Sequence, residues 1–117
     1  MLRTLVENQG EGVVIVDGDE NLTYTNPAAE AIFGSSIGGL IGRNLREFTS
    51  ERSYEYIRKQ TSLRMQGLKS VYEMEIVRSD GQERILSVTA TPWFDKQGRF
   101  SGAFGILSDI TDRKMVE

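Results

Sequence analysis

The sequence contains no cysteine and no histidine. Without cysteine there is no disulfide, no thiolate nucleophile and no thiolate metal ligand, a usage that suits a reducing compartment. Without histidine the commonest general base, the commonest metal ligand and the usual haem ligand are missing. Long apolar runs are missing too: nothing approaches the roughly 18 residues that a membrane-spanning helix needs. The opening MLRTLVENQGEG has no extended apolar core, so no secretory signal is expected. Basic clusters are also absent. Lys and Arg number 14 against 17 Asp and Glu, for a net charge of −3, so nucleic acid is not an expected partner.

What is present fits one small domain. The chain has 117 residues, 38% hydrophobic and 26% charged, enough for one core. Leu2, Leu5 and Val6 recur at helical spacing and predict a short amphipathic helix within residues 1–10. GVVIVD (12–17) is a β-branched run and reads as a buried strand, and LTYT (22–25) returns after an Asp-Gly-rich turn. Asn26-Pro27 is a helix start: Asn caps the free N–H groups and Pro suits the first helical position. Glycines interrupt residues 35–50, and Tyr54, Ile57, Thr61, Met65 and Leu68 then predict one face of a helix over 51–68. Arg52, Arg58, Lys59 and Arg64 on that helix read as a solvated face.

The last third alternates. Tyr72, Met74 and Ile76 oppose Glu73 and Glu75; Leu86, Val88 and Ala90 oppose Ser87, Thr89 and Thr91. After the turn at Asp95–Gly98, Ala103, Gly105 and Leu107 share one face, with Phe104, Ile106 and Ile110 on the other. The order is β-β, short helices, a longer helix, then β-β-β. That predicts an α+β domain: a five-stranded antiparallel sheet with helices packed on one face. Its boundaries are residues 1–10 for the N-terminal helix, 11–111 for the core and 112–117 for the start of a connector.

This order, with GVVIVD, DENLTYTNPAAEAIFG, LIGRNLREF and the terminal Asp109-Ile110-Thr111, resembles the PAS domains of sensor histidine kinases over nearly the whole chain. The resemblance implies a cavity on the helical side of the sheet. It also implies an outer face that docks an N-terminal helix and a second subunit, and a helical connector into an output domain such as a histidine kinase. Asp109, Thr111 and Arg113 are the implied relay, with an Asp109–Arg113 pair between strand end and connector.

Gly42-Arg43-Asn44-Leu45-Arg46 is close to the flavin motif of LOV photosensors, in which Leu45 is a cysteine. Leucine has no thiol, so flavin-adduct chemistry is excluded, as is His-ligated haem. The positions where LOV domains place amides against the flavin fall on Ile76, Leu86 and Leu107, which are aliphatic. No cofactor and no metal is predicted. Tyr72, Met74, Ile76, Leu86, Val88, Ala103, Gly105 and Leu107 either pack as a plain core or line a pocket for a small apolar ligand, with Ala103 and Gly105 leaving room. Phe104, Ile106 and Ile110 are apolar where a solvated sheet face is polar; the first helix, through Leu2, Leu5 and Val6, is too small to cover them alone, which predicts a homodimer in which that helix and a second copy of the domain cover this face.

No nucleophile–base pair, metal set or phosphate loop is present, so the domain is expected to be non-catalytic. Two functions fit: a cytoplasmic sensory or regulatory module relaying ligand or assembly state through its connector, or a ligand-free dimerisation module.

Overall fold

The β-branched run near the N-terminus forms β1 (Gly12–Val16), and Leu22–Thr25 returns as β2. The turn between them is built by Asp17, whose carboxylate accepts from the backbone N–H of Asp19 and Asn21. The computed structural model describes residues 11–116; Leu2, Leu5 and Val6, and with them the expected first helix, lie outside the described residues.

Helix α1 (Pro27–Phe33) starts where Asn-Pro predicts and ends at Gly34, which takes the left-handed conformation at φ 72°. Asn26 does more than cap. Its Oδ1 accepts from Ala29 N–H at 2.9 Å and from Val13 N–H at 2.9 Å, tying the helix start to β1. Replacing Asn26 with alanine is expected to cost about 2 kcal/mol, from a lost cap and a second lost hydrogen bond. Urea denaturation of Asn26→Ala beside Asn26→Asp, which keeps both acceptor bonds, checks this.

A 3-10 turn (Leu45–Phe48) with a capping box of Asn44 and Glu47 leads into α2 (Glu51–Met65), capped by Ser50. The helix stops three residues before the expected Leu68. Its buried face is Ile57, Thr61 and Arg64; Met65 and Leu68 are exposed. The predicted solvated row therefore needs correction at Arg64, which is 2% exposed, whereas Arg52 and Lys59 do face solvent.

Strands β3 (Ser70–Val77), β4 (Glu83–Phe94) and β5 (Phe100–Asp109) are joined by tight hairpins, and α3 (Thr111–Val116) follows. The five strands pair antiparallel in the order β2-β1-β5-β4-β3. The alternation predicted for β3 is observed in full: Tyr72, Met74 and Ile76 are buried, and Glu73 and Glu75 face solvent. Inward residues of β1, β3, β4 and β5 meet Phe33, Leu45, Phe48 and Ile57 in one core, where Phe33 and Phe48 pack edge to face at 5.2 Å. Each such large side chain, fully buried, contributes about 1.5–3 kcal/mol. Helices α1 and α2 thus pack on one sheet face, and among the described residues Phe104 and Ile106 stay exposed on the other.

Candidate functional site

Two groups of polar side chains stand out against this apolar frame. One closes the strand-to-helix junction at the C-terminal end. Asp109, the last residue of β5, accepts from Arg84 Nε on β4 at 2.8 Å. Its other oxygen accepts from Thr111 N–H at 3.0 Å and from the Thr111 hydroxyl at 2.6 Å. The same hydroxyl oxygen accepts from Ile85 N–H at 2.8 Å, and Ile110 N–H donates to the Ile85 carbonyl. Thr111 is thereby hydrogen-bonded on both sides at the first turn of α3, whose direction is fixed against β4. Partial burial works against the Asp109 charge, but the Arg84 and Thr111 hydrogen bonds win and hold its carboxyl below the usual range.

The expected Asp109–Arg113 pair is not made. Arg113 is exposed on α3, and the partner of Asp109 is Arg84 on the neighbouring strand. A lateral partner is in register because Leu86 pairs with Asp109 across β4 and β5. Farther along α3, Lys114 Nζ meets the Glu73 carboxylate on β3 at 3.1 Å.

The second group lies under α2. Glu20 is 1% exposed, and its Oε2 accepts from Arg58 Nη1 at 2.6 Å and from the Thr61 hydroxyl at 2.6 Å. Arg64 donates from Nη2 to Thr61 Oγ1 and from Nη1 to Ser70 Oγ. Burial pushes the Glu20 carboxyl above its ordinary value; Thr61, Arg64 and Arg58 offset part of that rise. Glu20 also holds φ at 68°, the one non-glycine residue with positive φ among those described. Sequence reasoning missed this cluster, because Glu20 read as one more turn residue and Arg64 as a surface cation. One signal was available: Ile57, Thr61 and Arg64 recur at steps of four and three, the spacing of a single helical face.

Between this cluster and the sheet lies a cavity of about 30 Å³. Of the candidate pocket residues, Tyr72, Met74, Val88, Ala103, Gly105 and Leu107 line it. Ile76 and Leu86 do not; they are packed in the core at 1% and 0% exposure. The room expected above Gly105 is largely taken by Val14, whose Cγ2 would stand 3.0 Å from a Cβ there. A wider hollow beside Tyr54 and Lys59 is open, charged surface. Among the described residues no group of three or more acidic side chains is placed to hold a metal ion, and no helix is long and apolar enough to cross a membrane.

On the outer face Phe104 and Ile106 are 45% and 39% exposed. The register extends them into two rows: Tyr24, Ile15 and Phe104 across β2, β1 and β5, and Val13 and Ile106 across β1 and β5. Ile110 departs from the expectation: it is buried at 7%, because the chain leaves the sheet at Asp109 to begin α3. Trp93 and Phe94 are both partly exposed, Trp93 near Phe104 and Phe94 against Phe100.

The antiparallel sheet with helices between its second and third strands agrees with a sequence comparison. The family model described as PAS fold matches residues 6–115. The chain belongs to the PAS fold family. This PAS domain is 32% identical over 116 residues to the signal transduction histidine-protein kinase AtoS of Escherichia coli, covering 97% of the chain and 18% of that protein. It is 24% identical over 113 residues to sporulation kinase C of Bacillus subtilis, covering 97% of the chain and 26% of the kinase. The chain thus spans about a quarter or less of these curated relatives. Among solved structures, a PAS domain from Colwellia psychrerythraea superposes with a TM-score of 0.77 at 22% identity, covering 96% of this chain and 98% of that one. A sensory box histidine kinase/response regulator from Burkholderia thailandensis gives a TM-score of 0.78 at 16% identity, covering 97% and 87%. The domain is homologous to a segment of signalling kinases, which places it in signal transduction as a sensory module.

Proposed function

We propose that this PAS domain is a non-catalytic regulatory module of a cytoplasmic histidine kinase, and that its output is the direction of α3. The observation that carries this reading is the junction in which Asp109, Thr111, Arg84 and Ile85 hydrogen-bond the end of β5, the start of α3 and the neighbouring strand β4. Any change that shifts β4 against β5 must move Thr111, and with it the first turn of the connector. The kinase relatives supply the class of output domain.

The interior supports a reading without flavin. Leu45 and Leu107 line a hollow far too small for a ring system, and neither side chain can hydrogen-bond a flavin edge. The residues do not fit that group.

In a chimaera in which this chain replaces the matching segment of a histidine kinase, Thr111→Val is expected to change basal autophosphorylation at least about threefold. The junction loses two hydrogen bonds worth roughly 1 kcal/mol each. Unchanged autophosphorylation, with faster hydrogen exchange at the Ile85 amide proving the junction open, sinks the proposal. The same junction has a pH signature. Because the Asp109 carboxyl is held down in the folded state, its stabilisation is present above the ordinary aspartate range and is lost as pH falls through the depressed value. Asp109→Asn is expected to remove that part of the acid limb.

The outer face favours a second, compatible reading as a homodimerisation surface, carried by the two apolar rows that no described residue covers. The occupant proposed is a second copy, with Leu2, Leu5 and Val6 beside it. Light scattering is expected to show a dimer that Ile106→Glu converts to monomer; a monomer at high concentration before substitution counts against it.

A further inference from the structure

Strand β3 is an edge of the sheet, with β4 as its one neighbour among the described residues. The hairpin shows which of its backbone groups that neighbour takes. Arg78 N–H donates to the Gln82 carbonyl, so Arg78 and Gln82 are a hydrogen-bonded pair, and such pairs alternate along an antiparallel ladder. Ser70, Tyr72, Met74 and Ile76 therefore bond to β4. The bond from Ile110 N–H to the Ile85 carbonyl gives the same parity from the other side of β4. Val71, Glu73, Glu75 and Val77 are left with N–H and C=O groups pointing away from the sheet, and no hydrogen bond from the described residues reaches them.

This edge is bordered by a groove. Between α2 and β3 lies a hollow of about 310 Å³, with Arg52 and Tyr56 on its helical wall and Glu73 and Glu75 on its strand wall. A second hollow, of about 350 Å³, shares Ser53 and Glu75 with the first and runs past Val77 to Arg84 and Thr111. Together they follow the edge from Glu73 to Val77.

Charge selects the occupant. A second copy pairing edge to edge about Met74 sets Glu73 opposite Glu75 and Glu75 opposite Glu73, and like charges directly opposite are unfavourable. Glu73 has Lys114 as its cation, an exposed contact that is given up at little cost, and Glu75 and Glu83 pair with none among the described residues. The same carboxylates favour a strand that carries Lys or Arg at alternate positions on the outer face. Arg52 disfavours cations on the inner side, where the half-exposed Tyr56 ring offers an apolar surface instead.

We propose that the free edge of β3 takes up an extended segment of a partner protein as a sixth strand, its basic residues alternating with apolar ones. The backbone of Glu73, Glu75 and Val77 supplies the ladder, and the two carboxylates select the side chains. Docking at this edge is separate from the output of α3, and neither depends on the other.

The test is hydrogen exchange read from ¹H–¹⁵N spectra of the full chain with three capped peptides: Lys-Val-Lys-Val-Lys-Val, its isomer Lys-Lys-Lys-Val-Val-Val, and the acidic Glu-Val-Glu-Val-Glu-Val. At saturation the alternating basic peptide alone is expected to slow exchange at the amides of Glu73, Glu75 and Val77 by at least about tenfold, as ladder hydrogen bonds form. No protection, or equal protection by the isomer, overturns the proposal, because the isomer has the same charge without the alternation. Protection of these amides in the free chain, rising with its concentration, would give the edge to a second copy and overturn it as well. Glu75 is exposed, so Glu75→Lys leaves the core untouched. That variant is expected to weaken the basic peptide about fivefold and to admit the acidic one. Undiminished binding of the basic peptide by Glu75→Lys would remove the charge selection and with it the proposed partner.

Discussion

Replacing Arg64 with alanine is expected to lower stability by about 3–5 kcal/mol, the cost of breaking a buried ion pair from one side. Arg64 is the largest fully buried side chain, and it holds Thr61 and Ser70 while facing Glu20. Removing it leaves the Glu20 charge with Arg58 and Thr61 alone and opens a hole at the head of the cavity. Urea denaturation measures the loss. Replacing Arg64 and Glu20 together with methionine and leucine removes both charges, so the double variant is expected to be more stable than Arg64→Ala. A double variant as unstable as the single one would mean that packing, not charge, sets the cost. The loss also depends on pH. The folded-state value of Glu20 is raised, so its contribution is fully present below the ordinary glutamate range and is lost as pH rises through the raised value. Arg64 is one of the groups that lower it. Without Arg64 the value climbs further, and the variant is expected to be less impaired near about pH 4 than near about pH 7.

The second large effect is expected at Gly102. Its φ is 146°, and a Cβ placed on it would collide with the carbonyl oxygen of Val16 on β1. The clash is with backbone, so no side chain can swing away. Val16 pairs with Ala103, and this contact is where β1 and β5 come closest to the turn that carries Glu20. Gly102→Ala is expected to cost on the order of 3 kcal/mol, combining strained backbone with overpacking. Gly98→Ala is the control. That glycine also has positive φ, at 82°, but nothing lies within 4 Å of its Cβ position, so only the backbone preference is lost, about 1 kcal/mol. Equal losses at the two positions would remove the steric argument.

Most of the architecture was legible because its signals are local. Alternation over Tyr72, Met74 and Ile76 marks a half-buried strand wherever it occurs, since successive side chains must point to opposite faces. Asn26-Pro27 and Gly34 bracket α1 through groups within one turn of each other. The relay was legible in part. Asp109 and Thr111 stand out in the sequence, but Arg84 is 25 residues from Asp109 and meets it only across the sheet register. The end of α2 was misplaced because Met65 and Leu68 are apolar and Arg64 is not. Hydrophobicity alone assigns the wrong residue to the buried face when a charge carries its own partners inside.

The two absences noted first remain the firmest statements about chemistry. A chain without cysteine and histidine cannot form a flavin–thiol adduct or ligate haem through histidine, whatever its fold. Composition and periodicity likewise determined the strand order along the chain and the apolar character of both sheet faces, because these depend on residue type and near neighbours. Only the tertiary structure decided the chemistry of the interior. Glu20 and Arg64 are 44 positions apart, and each reads as a surface residue by itself. Folding brings α2 over the turn between β1 and β2, where Thr61, Ser70 and Arg58 hold two charges that neither segment could bury alone.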